Sequence, residues 1–202
     1  QMKGAIIDST NTTFFGDIID YKNAGNYEYN YISQISGNNI SLKNKLTRQY
    51  DIPTGKVQLV RAPYYSNSIS FGQKLTCLPW DGSKGGILAF NVKDTLSLTN
   101  DIDVSGKGFR GASIINPRNN ALACNESNYF YPNNPIFAGP KGEGIADISN
   151  AKSNGKGPLA NGGGGGNGHN SGAGGGSNSS SAGKGGKEWI SCNGNLDHGG
   201  SG

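Results

Sequence analysis

Five consecutive glycines, Gly162–Gly166, and three more at Gly174–Gly176 constrain this chain more than any other feature. From Gly139 to Gly202, 22 of 64 residues are glycine; the first 138 residues hold the other 12. Glycine has no side chain to bury and loses the most backbone entropy on folding, so no ordinary hydrophobic core forms from this stretch. Either it is a flexible linker, or its backbones pack directly on one another and exploit the missing side chains. Collagen is excluded, because glycine does not recur at every third position and no proline follows Pro158. Trp189 lies just beyond the tract, and a large aromatic needs a place to pack. Ser177–Ser181 interrupts the tract and reads as a surface loop.

Composition sets the class. Apolar residues make up 33% and charged residues 16%. The chain therefore lacks the high charge of a disordered protein, and its Asn, Ser, Thr and Tyr content suits an extracellular β-protein. Net charge is +4, and the densest basic stretch is Lys43, Lys45 and Arg48, too diluted to predict a nucleic-acid partner. No apolar run approaches a membrane span, so no membrane insertion is expected. The opening Gln1-Met2-Lys3 leads straight into a strand-like run, as in a mature protein whose export signal has been removed.

Residues 1–104 read as a β-rich region. Gly4–Asp8, Phe14–Asp20 and Val57–Ala62 are strand-like runs. Tyr27, Tyr29 and Tyr31 alternate with Glu28 and Asn30, Leu88, Phe90 and Val92 share a face, and so do Leu96, Leu98, Ile102 and Val104. Turns fall at Asn38-Asn39, Pro53-Thr54-Gly55 and Asp81-Gly82-Ser83. No segment carries a helical period. The expectation is a mainly β chain with little or no helix. Its N-terminal strands would form a sandwich, a jelly roll or a short solenoid. Residues 105–202 form a loop- and glycine-rich region packed with the first as one unit.

The candidate chemistry is sparse. Gly183-Lys184-Gly185-Gly186-Lys187 lacks the spacing and helix of a phosphate loop. His169 and His198 are the only imidazoles, and His198 with Cys192 and Asp197 does not match a zinc spacing. Asp101 and Asp103 share a strand face; they read as solvent-facing, with calcium as the one cofactor they suggest. The aromatic stretch Tyr129–Phe137 reads as a loop pinned to the core by its own rings, with contact to sugar or protein as the alternative. Three cysteines allow one internal bridge. Cys124–Cys192 is predicted, since it would tie off the flexible tract. No catalytic residues emerge.

Several blocks in order carry a resemblance. They are Gly85-Gly86-Ile87-Leu88-Ala89-Phe90, Asp101–Gly111, Lys141-Gly142-Glu143-Gly144-Ile145-Ala146, Asn161–Gly166, His169–Gly176 and Ala182-Gly183-Lys184-Gly185-Gly186. Together they resemble the glycine-rich domain of large bacterial cell-surface proteins exported by the type IX secretion pathway of gliding bacteria, over about Val57 to Trp189. The tract also resembles the glycine-rich regions of anaplastic lymphoma kinase ectodomains and of phage tail adhesins, in which glycine strands pack as polyglycine II bundles. The resemblance implies a secreted, surface-attached, non-enzymatic adhesive or structural module. It would meet a surface glycan, a protein or itself, with secretion signals in regions outside this chain. The alternative is the non-catalytic N-terminal part of an exported hydrolase acting on polysaccharide.

Overall fold

A computed structural model of the chain describes residues 1–115, 127–132, 138–168, 170–178, 180–188 and 197–202. Among these the protein is mainly β, and the only helical element is a 3-10 turn at Asn150–Lys152. The strands are short and form four two-stranded sheets. Sheets of two strands each do not by themselves establish the expected sandwich or jelly roll.

The first strands, β1 (Ile6–Ile7) and β2 (Ile18–Asp20), pair antiparallel. The turn between them is fixed by Asp8, whose carboxylate accepts the Thr10 N–H and hydroxyl. Ala5 bridges in parallel to Ala146, and the Gly4 N–H donates to the Ile145 carbonyl. The small residues Ala5, Ala24 and Ala146 pack with Ile7, Phe15 and Leu159 into the main apolar cluster. Phe15 is 1% exposed, and its burial contributes roughly 2–3 kcal/mol. Residues 1–25 thus pack on the glycine-rich region.

Residues 26–48 form a projecting arm. Its tip is a hairpin of β3 (Ile32–Ser36) and β4 (Asn39–Leu42), joined by the two-residue loop Gly37-Asn38. Gly37 takes φ +56°, which a glycine at this loop position allows at no steric cost. The turn therefore sits one residue before the expected Asn38-Asn39. Nearly every side chain of the hairpin is exposed.

Residues 57–110 make two stacked coils. Here β5 (Tyr64–Tyr65) pairs in parallel with β7 (Asn91–Val92), and β6 (Ile69–Phe71) with β8 (Leu96–Leu98). Leu75 bridges in parallel to Ile102. The offset is 27 residues throughout, and the Gln58 side-chain amide continues it by exchanging two bonds with Gly85. A constant offset between parallel strands is the mark of a solenoid. Tyr65, Phe71 and Phe90 stack edge to face between the coils, with ring centroids 5.6 and 5.9 Å apart. Val57–Ala62 forms no strand; this run supplies the coil's start and lines its interior.

Candidate functional site: a glycine bundle and its buried ions

The glycine tract is packed. Segment 161–167 lies in the middle and bonds through its backbone to four others, 138–144, 153–158, 171–177 and 197–202. A strand in a sheet has two neighbours; four require a bundle. The spacing of the bonds is regular. Gly139 and Gly142 donate to Gly166 and Gly163, and Gly164 and Asn167 donate to Ser201 and His198. Gly174 and Ser177 donate to Gly164 and Asn161, and Gly172 and Gly175 donate to Gly186 and Gly183. Each pair steps by three residues in opposite directions, as extended chains with three residues per turn would.

Glycine is needed here for its missing Cβ, since none of Gly162–Gly166 or Gly174–Gly176 has a positive φ. A Cβ at Gly164 would overlap the Lys156 carbonyl, one at Gly165 the Gly139 carbonyl, and one at Gly163 the Gly174 carbonyl. Gly174 faces the Ser201 carbonyl in the same way. Gly175 differs: its nearest neighbour would be the Gly183 nitrogen at 3.8 Å, an ordinary contact. A larger residue at Gly175 would therefore overlap no backbone at its first added carbon, unlike one at Gly164. Gly175 lies on the outer side of segment 171–177, against the peripheral segment 182–188.

Two sets of buried titratable side chains lie at the bundle. Lys141 sits beneath it with its ammonium donating to the carbonyls of Tyr129 (2.6 Å), Gly155 (2.9 Å) and Gly157, 4.5 Å above the Phe15 ring. Three donors meet three acceptors: the Tyr129 and Gly155 carbonyls also accept the Gly157 and Gly165 N–H groups, while the Gly157 carbonyl has no other donor among the described residues. Burial pushes this ammonium down to about 7. In the unfolded chain it keeps the ordinary lysine value, so the unfolded chain binds more protons above pH 7. Stability should therefore rise as pH climbs from about 7 toward ~10. The check is the denaturant midpoint of the parent relative to Lys141→Met, measured at pH 7 and 9.5. The expected difference grows in favour of the parent; a constant one would show that the carbonyls and ring keep the proton on.

At the other end, the buried His198 ring places Nε2 3.8 Å from the Glu188 Oε2. Neither ring nitrogen of His198 has a hydrogen-bond partner among the described residues. A Cβ on Gly168 would lie 3.0 Å from the Glu188 carboxylate. Sequence reasoning missed Glu188 and Lys141, because charged residues are assigned to the surface unless a partner is visible.

Other sequence candidates are dispersed. Asp103 is ion-paired with Lys74 and accepts the Ser105 N–H, which together hold its carboxyl well below the usual range. Lysine thus takes the position that a cation would need, and Asp101 stays exposed. Asp197 pairs with Lys184 at 2.6 Å. Among the described residues no three metal-ligating side chains stand together. Tyr129, Phe130 and Tyr131 turn inward, with Phe130 5.7 Å from Phe15 and Tyr131 buried. Cys77 is a half-buried free thiol. Cys124, Cys192, His169, Trp189 and the end of the aromatic stretch at Phe137 lie outside the described residues. A cavity of about 540 Å³ between the coils is lined mainly by apolar groups, among them Tyr65, Phe71, Leu75, Leu88 and Phe90. No helix among the described residues is long and apolar enough to cross a membrane. No protein-family model, curated protein or solved structure matches the chain.

Proposed function

We propose that this chain is a non-enzymatic extracellular module of a bacterial surface protein, with a structural and adhesive role toward a surface glycan or protein. The observation that carries this reading is the bundle around segment 161–167, where four neighbours are bonded backbone to backbone. Such a bundle has almost no side chains with which to do chemistry, and it resists local opening because each segment is held from several sides. That suits a stalk or platform which holds peripheral loops and an arm in place. The titratable groups support it too. Lys141 is spent on carbonyls, and Asp103, Asp147 and Asp197 are spent on lysines. The resemblance to type IX surface proteins and to phage adhesins points the same way.

The test is retention. Beads coated with the chain are passed over bacterial cells and over films of purified polysaccharide. The expected result is that cells or films hold them more firmly than beads carrying heat-denatured chain. Equal retention of the two would contradict an adhesive role.

A further inference from the structure

We propose that one face of the arm, formed by Tyr27, Tyr29 and Tyr31 with Lys43, Lys45 and Arg48, is a binding site for an acidic polysaccharide. The inference rests on the adhesive reading above and names its ligand class. An ordinary amphipathic segment turns aromatics in and polar groups out; residues 26–31 do the reverse. Tyr27, Tyr29 and Tyr31 are 72%, 59% and 59% exposed, while Glu28 and Asn30 between them are half-buried. The inward groups are what hold the segment. Glu28 accepts the N–H groups of Thr47 (2.9 Å) and Arg48 (3.3 Å) and the hydroxyls of Thr47 and Tyr50. Asn30 accepts the Asn44 N–H and donates to the Asn44 carbonyl. The rings are thus left outside by a specific set of bonds.

Those bonds also fix the register of the cations. Asn26, Glu28, Asn30 and Tyr31 face Arg48, Thr47, Asn44 and Lys43 in turn. Lys43 and Arg48 therefore fall at the two ends of the tyrosine row, with the Lys43 ammonium 6.0 Å from the Tyr31 ring centre and Arg48 bonded to Asn26 next to Tyr27. Lys45 follows Asn44, between the levels of Tyr29 and Tyr31. The one carboxylate on these two segments, Glu28, is turned inward and already bonded. Of the chain's net charge of +4, this small face gathers three cations against that single internal anion.

Rings in an extended segment recur every second residue, about 7 Å apart, and give rigid, amphipathic stacking area with little entropy to lose. Exposed Asn44 and Gln49, next to Lys43, Lys45 and Arg48 in the chain, add side-chain amides. These both donate and accept, which suits sugar hydroxyls; a phosphodiester backbone only accepts. Single-stranded nucleic acid favours a continuous positive groove, whereas this face lies on a projecting arm. A second copy would bring like charges together.

The test uses the full chain on a sensor surface with four probes: alginate, dextran sulfate, neutral dextran and oligo(dT). The expected result is salt-sensitive binding of the acidic glycans, with dextran and oligo(dT) at least about tenfold weaker. Y27A/Y29A/Y31A and K43Q/K45Q/R48Q should each lose at least about tenfold, with the thermal midpoint lowered by no more than about 3 °C because these side chains are exposed and Arg48 makes a single surface bond. Oligo(dT) bound as tightly as alginate and lost with the same variants would overturn the ligand class. Variants binding acidic glycan like the parent would overturn the site while leaving the adhesive reading in place. If no glycan binds but cells still retain chain-coated beads, the proposal falls alone; if cells do not retain them either, both fall.

Discussion

Gly164→Val is expected to destabilise the fold by about 3 kcal/mol or more, while Gly175→Val should be nearly neutral. The two positions are alike in the sequence, each inside an unbroken glycine run. Their surroundings differ. At 164 the first added carbon meets the Lys156 carbonyl and the Lys156–Gly157 backbone, and backbone held by other bonds cannot step aside. At 175 the nearest atom lies at 3.8 Å. Neither glycine has a positive φ, so the contrast measures packing and not backbone conformation. Chemical denaturation of both variants and the parent is the check. Similar small losses at both positions would mean the segments do not touch. A large loss only at 175 would mean their order in the bundle is different.

Lys141→Met should cost about 3 kcal/mol, despite keeping the length and apolar stem of the side chain. The loss comes from three bonds to a charged donor and from the buried Gly157 carbonyl, which has no other donor among the described residues; the Tyr129 and Gly155 carbonyls keep the Gly157 and Gly165 N–H groups. One buried unpaired acceptor costs about 1–3 kcal/mol, each lost bond to a charged donor about 1.5–3 kcal/mol, and relaxation with water entry would recover part of the sum. The favourable placement over Phe15 is lost as well. Lys141→Arg should not rescue the fold, because a planar guanidinium cannot direct three donors at one converging set of oxygens. Lys156→Met is the control: that ammonium lies over the Tyr129 ring, and it should cost under about 1 kcal/mol. Equal effects at 141 and 156 would remove the special role of the buried ammonium.

What the sequence shows and hides follows from the kind of interaction. The glycine runs left a linker and a packed backbone as the two readings, and a side-chain-free segment carries no pattern to say which face is inward, so Gly164 and Gly175 look equivalent. The stacked coils did leave a trace. Ser68-Ile69-Ser70-Phe71 and Thr95-Leu96-Ser97-Leu98 are the same pattern 27 residues apart, and Leu75 and Ile102 repeat the offset. Alternation within each strand was legible and left a sandwich, a jelly roll or a short solenoid open; only a comparison across the offset reveals parallel stacking. The period of two at Tyr27–Tyr31 is real in the structure, but with the opposite sense. Periodicity gives two faces and does not say which is buried, and here Glu28 and Asn30 find partners that tyrosine could not have used. Lys141 and Glu188 were hidden because their surroundings come from segments distant in the chain.

The most direct test of the glycine bundle is residue-resolved amide hydrogen exchange across residues 161–177 and 197–202. The amides of Gly164, Gly165, Asn167, Gly174 and Gly200 each donate to another glycine-rich segment. They should exchange slower than an unstructured chain by about three orders of magnitude or more. Exchange of all five at the rate of an unstructured glycine peptide would contradict the bundle.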